Sequence, residues 1–207
     1  MKQKNMKIIT IVVVALVILI GIVMVGIYGF NKELRFEQSQ SFDIYIKQEV
    51  DEEKIKGIVN EALGESNNIV QTVEIYKDMV TIRAKEITED QKNNIVNKVK
   101  ENYEFSQTAE DTKINIIPST RILDIYKQYI LPFAISGVLV LVYMSIRYYK
   151  KGLLKVIGRT ILIPVLAEMF LISLIAITRF PVGRFVPVLV IGMYIASIFI
   201  VIRENEK

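Results

Sequence analysis

The sequence predicts an α-helical membrane protein with four transmembrane helices and an extracytoplasmic α+β ferredoxin-like (βαββαβ) domain inserted between helices 1 and 2. Three observations lead there. The 207 residues are 52% hydrophobic and 23% charged, yet the two kinds fall into separate blocks. Four blocks are apolar enough to cross a bilayer, and the long polar block after the first alternates strand and helix patterns. Lys and Arg gather beside the apolar blocks in a way that assigns them all one orientation.

The first span is the clearest. From Ile8 to Phe30 there is no charge, and about 20 apolar residues suffice to cross a hydrocarbon core of roughly 30 Å. A secretory signal has a shorter apolar region, of about 7–15 residues, and then a small-residue cleavage site. "GIVMVGIYGFNK" offers no convincing site, so the segment reads as an uncleaved anchor, and residues 1–30 form the N-terminus with the first span.

Residues 31–128 carry 19 of the 22 acidic residues but only 14 of the 26 basic ones, an ordinary soluble surface. The chain has no cysteine, so this domain must hold together by packing without a disulfide. "SFDIYIKQ" alternates Phe42, Ile44 and Ile46 against Asp43, Tyr45 and Lys47, the period of a half-buried strand. Asp51 caps a helix with Ile55, Ile58, Val59, Ala62 and Leu63 on one stripe, ended by Gly64. "VQTVEIYKDMVTIRAKE" reads as two strands about a tight Lys77-Asp78 turn, with Val73, Ile75, Val80 and Ile82 facing inward. Thr88 and Gln91 form a capping box for a helix carrying Ile95, Val96, Val99 and Tyr103, and "TKINIIPS" supplies the last strand. The order βαββαβ is that of the ferredoxin-like split unit, a fold shared by unrelated functions.

Three more spans follow within residues 129–207, at about Tyr129 to Ile146, Thr160 to Thr178 and Phe185 to Ile202, with Pro164 and Pro187 inside two of them. Membrane helices tolerate proline because neighbours satisfy the freed carbonyls. Lys2, Lys4 and Lys7 precede the first span, "RYYKKGLLKVIGR" separates the second from the third, and Arg203 and Lys207 follow the fourth. With four spans these groups share one face, which the positive-inside rule makes cytoplasmic, leaving Arg179 and Arg184 opposite. The net charge of +4 therefore sits beside the lipid bilayer and is no nucleic-acid signal.

Function classes narrow by chemistry. Without His or Cys there is no Ser-His triad, thiol nucleophile or usual zinc set, and no phosphate-cradling glycine motif occurs. The expectation is no enzyme, no cofactor and no metal. Asp51-Glu52-Glu53 has the composition of a divalent-cation site, but carboxylates at that place favour the positive end of a helix dipole. Glu168, in "ILIPVLAEMFLISLIAIT", is the ionisable residue well inside a span. A charge there costs at least about 2.5–3.5 kcal/mol, so such groups are generally protonated, paired or reached by internal water. Two readings stand: a proton-binding site coupled to movement, or a neutral acid hydrogen-bonded to a neighbouring helix.

At this point a family resemblance enters. An N-terminal anchor, a βαββαβ domain and a span ending in Tyr-Met-Ser-Ile-Arg-Tyr at 143–148 resemble SecF of the SecD/SecF protein-export family, whose second span ends in a similar Tyr-Ile-x-Ile-Arg-Phe pattern. "GFNKELRF" at 29–36 resembles the family's Gly-Leu-Asn-x-Gly-Ile-Asp-Phe stretch. "VLAEMFLIS" resembles its Leu-x-His-Asp segment, and "IFIVIREN" at 198–205 its closing Asp-Arg-Ile-Arg-Glu-Asn. The resemblance places Glu168 at the family's intramembrane Asp, and Arg203, Glu204 and Asn205 on its cytoplasmic Arg-Glu-Asn.

It implies an accessory of the Sec preprotein translocase that uses the proton gradient to assist export across a bacterial cytoplasmic membrane. The implied partners are a SecD-like subunit, the Sec translocon and the translocating polypeptide. Family members have six spans and this sequence holds four, which implies a reduced or diverged subunit whose remaining spans come from a partner. The alternative from another class is a non-catalytic membrane scaffold or sensor whose outer domain binds a protein partner.

Overall fold

The computed structural model describes residues 2–46, 50–64, 68–73, 76–103 and 111–206. The chain forms two compact units, Glu33–Arg121 and a helical unit of Met1–Lys32 with Ile122–Lys207. Helix α1 (Lys2–Tyr28) opens the helical unit. The inserted unit then follows in the order β1 (Ser39–Tyr45), α2 (Glu52–Leu63), β2 (Asn68–Val73), β3 (Tyr76–Ala84), α3 (Glu89–Asn102) and β4 (Asn115–Ile117).

Its four strands make one antiparallel sheet in the order β2-β3-β1-β4. Alternation decides which side chains meet the helices. Phe42, Ile44 and Ile46 are fully buried, with Phe42 opposite Ile82 and Ile44 opposite Val80 on the neighbouring strand. They join Ile55 and Val59 of α2 and Ile95, Val96 and Val99 of α3 in one cluster. Each such side chain taken from water contributes about 1.5–3 kcal/mol. The residues between them turn the other way and are joined by polar contacts: Thr81 Oγ1 donates to Asp43 Oδ1 at 2.6 Å, and Arg83 Nε to Ser39 Oγ at 2.6 Å.

Both helix starts follow the expected chemistry. Asp51 Oδ1 accepts the backbone N–H groups of Glu53 and Lys54, and Thr88 with Gln91 closes a reciprocal capping box. Asp51, Glu52 and Glu53 thus open α2, as carboxylates at the positive end of its dipole should. Gly64 ends α2 with a φ of 84°, a conformation that suits glycine.

The turn between the second and third strands departs from expectation. Lys77 and Asp78 lie within β3 and form no turn. Strand β3 is central, and its pairing with β2 shifts register between Thr72↔Val80 and Val73↔Tyr76, so Lys77 and Asp78 fall in this irregularity while Ile46 N–H donates to the Asp78 carbonyl at 2.7 Å on the other side. Two polar residues in a row thus mark a register shift inside a strand. Of the inward positions expected there, Val80 and Ile82 are fully buried, whereas Ile75 and the Val73 side chain lie outside the described residues.

The helical unit continues with α4 (Ile122–Arg147), a 3₁₀ turn (Tyr149–Lys151), α5 (Leu153–Ile177) and α6 (Val186–Glu206). Together with residues Ile8–Tyr28, these are four helices long and apolar enough to cross a membrane. All three later helices exceed the apolar runs. Helix α4 begins seven residues before Tyr129, because Asp124 and Lys127 interrupt the hydropathy without interrupting the helix, so residues 122–128 belong to the helical unit. Gly152, at φ 94°, lets the chain turn directly into α5, which puts Lys155 and Arg159 on the helix instead of in a loop. Helix α6 runs through Arg203, Glu204 and Asn205. Pro187 falls in its first turn, where no intrahelical N–H is lost, while Pro132 lies inside α4.

Helix α5 is the hub of this unit. Its Ser173 rests on Gly21 of α1 so closely that a Cβ on Gly21 would stand 2.5 Å from Ser173 Cα. At the end of α1 the chain is clasped to the α5–α6 loop. Asn31 Nδ2 donates to the Arg179 carbonyl at 2.8 Å, Arg179 Nη1 to the Gly29 carbonyl at 2.7 Å, and Val182 N–H to the Asn31 carbonyl at 2.7 Å. These bonds hold Arg179 at a φ of 55°, unusual for a residue with a side chain.

Candidate functional site

Glu168 lies near the middle of α5, nine residues before its last residue, Ile177. At 1.5 Å per residue that is about 13 Å along the axis from the helix end. Both carboxyl oxygens are buried and have no hydrogen-bond partner among the described residues. The neighbours explain this. Helices α5 and α6 run antiparallel, with Val156 packed near Val201 at one end and Ile175 near Val186 at the other. Counting inward from both ends brings Glu168 level with residues 189–193 of α6, the sequence Leu-Val-Ile-Gly-Met, which has no donor side chain.

Helix α1 lies parallel to α5, with Ser173 Oγ at 3.5 Å from the Ile18 carbonyl and Arg179 reaching Gly29. On α1 the level of Glu168 falls near residues 13–16, Val-Val-Ala-Leu, again without a donor. One turn before Glu168, buried Pro164 lacks an N–H and removes one rung of the α5 ladder. The segments of α1 and α6 level with the carboxyl thus form an apolar shell on those two sides, and an ionisable group so placed in an apolar helix is a candidate functional site by default.

The second set of residues singled out by sequence lies at the other end of the bundle. Arg203 is exposed on the last turn of α6. Glu204 and Asn205 act through groups that a charge pattern does not reveal: Arg159 of α5 donates from Nη1 to the Glu204 carbonyl at 2.7 Å and to Asn205 Oδ1 at 3.3 Å. Its cation therefore satisfies a last-turn carbonyl at the negative end of the α6 dipole. Asn205 is 1% exposed, and its Nδ2 has no partner among the described residues. Glu168 and the Arg203–Asn205 turn are not brought together; they occupy the middle of one helix and the end of another.

The Tyr143–Tyr148 stretch ties α4 to this end. Met144 and Tyr148 pack with Val156 and Val201. Arg147 donates to the Tyr143 hydroxyl, lies over the Tyr143 and Tyr148 rings at 5.7 and 5.4 Å, and pairs with Glu206 at 3.9 Å. Sequence reading counted Arg159 only as one basic residue among several. Its partners lie 45 and 46 residues on, and only the α5–α6 register selects them.

Arg159→Ala is expected to destabilise the helical unit by about 1.5–3 kcal/mol, the range for a hydrogen bond to a charged group. Thermal unfolding in detergent checks this, and Arg159→Lys should restore only part of the loss, because the ammonium keeps the charge but is more strongly hydrated than a guanidinium. Searches against protein-family models and curated proteins found no match to this chain.

Proposed function

We propose that this chain is a SecF-like accessory subunit of the Sec preprotein translocase, assisting proton-gradient-driven export across a bacterial cytoplasmic membrane. In this reading both termini are cytoplasmic, and the strand-and-helix unit is an extracytoplasmic ferredoxin-like domain. The partners are a SecD-like subunit, the translocon and the translocating polypeptide.

The observation that carries the reading is Glu168, a buried carboxyl without a hydrogen-bond partner among the described residues, on the central helix of the bundle. A group that takes up and releases a proton in such a shell changes the local charge, and the cost of that charge favours a different helix arrangement for each state. The order of parts supports the family assignment: one span, a βαββαβ unit with sheet order β2-β3-β1-β4, then three spans. The "YMSIRY" and "IREN" segments support it as well, and both sit where α4, α5 and α6 meet.

Glu168→Gln is the test, because it keeps the shape and removes the titration. In vesicles holding the translocon and this chain, the variant is expected to insert at the normal level and lose the stimulation of preprotein export by an imposed proton gradient. Stimulation equal to that of the unaltered chain would reject the proposal. Crosslinking from native membranes separates it from the scaffold reading, which requires a partner set without Sec components.

A further inference from the structure

We propose that the window between α4 and α6 binds one acyl chain of an anionic phospholipid, with the phosphate at a rim formed by Lys127 and Arg184. The window is defined by two contacts. At one end the Tyr126 hydroxyl donates to the Gly183 carbonyl at 3.1 Å. Seven residues along α4, the Phe133 ring lies 4.7 Å from the Tyr194 ring at an interplanar angle of 50°. Seven helical residues span about 10 Å. Along this window runs a cavity of about 560 Å³ that extends from Ile122, one turn before Tyr126, to Ala134, with Tyr129, Ile172, Ile175 and Val190 in its wall.

That volume lies within the range of about 300–1,000 Å³ typical of ligand pockets. The wall is almost wholly hydrocarbon and ring surface, so it takes an apolar occupant and gives water no partners.

Size selects among apolar occupants. A helix with its side chains is about 10–12 Å across, and to enter it would have to part Tyr126 from Gly183 or Phe133 from Tyr194. A single hydrocarbon chain passes between the two contacts and leaves both intact.

Charge selects the headgroup. Lys127 and Arg184 are the next residues in sequence after the hydrogen-bonded Tyr126 and Gly183, and both are exposed. Across this end of the helical unit the charged residues are Lys32, Asp124, Lys127, Arg179 and Arg184, four cations against one carboxylate. Tyr126 and Tyr129 stand one to two turns into α4, the depth at which tyrosine favours the boundary between headgroup and hydrocarbon.

The chain has no tryptophan, so single reporters are clean. The full chain carrying Phe133→Trp is placed in phosphatidylcholine vesicles containing rising fractions of dibrominated phosphatidylglycerol or dibrominated phosphatidylcholine, and bromine quenching is read. Half-maximal quenching is expected at a roughly tenfold lower fraction of the phosphatidylglycerol, the scale set by two basic residues near an anionic lipid.

Leu139→Trp, on an exposed part of α4, should be quenched equally by both lipids. Adding Lys127→Gln and Arg184→Gln to the Phe133→Trp reporter should abolish its preference. Tyr129→Trp gives the same reading from the cavity wall if Phe133→Trp disturbs the ring contact. Equal quenching by the two lipids at the cavity reporters, or a preference that survives the double neutralisation, would overturn the proposal.

Discussion

Phe42→Ala is expected to strip the Glu33–Arg121 unit of most of its stability. The side chain is fully buried at the centre of the sheet, opposite Ile82 and in the cluster that joins both helices to the strands. Truncations of this kind cost about 3–5 kcal/mol, through lost transfer energy and the cavity left behind. A typical domain has only about 5–15 kcal/mol in total. No disulfide supplies a reserve, since the chain has no cysteine. Limited proteolysis of the full chain in vesicles reads the outcome: cleavage within residues 33–121 should accelerate by orders of magnitude while the helical unit stays protected. Unchanged protection would show that the sheet is held from elsewhere.

Gly21→Leu is the second change with a large expected effect, and it acts on the other unit. A Cβ at this position already meets the Ser173 backbone at 2.5 Å, so the obstruction is main chain and no rotamer relieves it. Overpacking a tight contact costs about 1–3 kcal/mol when neighbours can shift. Here relief requires α1 to move away from α5. The Ser173 hydroxyl reaches the carbonyls of both Ile18 and Met169, at 3.5 and 2.7 Å. Cysteines introduced at Ile18 and Met169 therefore report the contact in a chain that has none of its own. A short bifunctional reagent should join them efficiently in the otherwise unaltered chain and poorly with Gly21→Leu. Equal crosslinking would refute the close helix contact. Because α5 also carries Glu168, the proposed function further predicts that the same variant weakens gradient-dependent export without touching the carboxyl.

Much of the fold was legible wherever a short-range rule applied. Alternation named Phe42, Ile44 and Ile46 as inward, and all three are fully buried. Asp51 and the Thr88–Gln91 pair were readable as caps because their bonds close within three residues. The apolar blocks announced four helices long and apolar enough to span, because the bilayer's thickness imposes a minimum length. Hydropathy misplaced the ends, since it follows composition while a helix continues through Asp124, Lys155 or Arg203 as long as its hydrogen bonds are met. The Lys77-Asp78 turn failed for a related reason: polarity marks a break in regular pairing, and here the break is a register shift within β3, which interrupts the ladder without reversing the chain.

Glu168 was visible in the chain as a carboxyl within an apolar run. That its oxygens are buried without a partner among the described residues depended on which residues of α1 and α6 come level with it. Arg159 with Asn205, Arg179 with Gly29, and Tyr126 with Gly183 all join residues 46 to 150 apart. Local chemistry therefore determined the elements, their caps and their inward faces, because each depends on neighbours within a few positions. The partners of the polar groups and the cavity between α4 and α6 were decided only by packing, because helix register and crossing are set by the meeting of surfaces such as Gly21 with Ser173, which no pattern along one segment encodes.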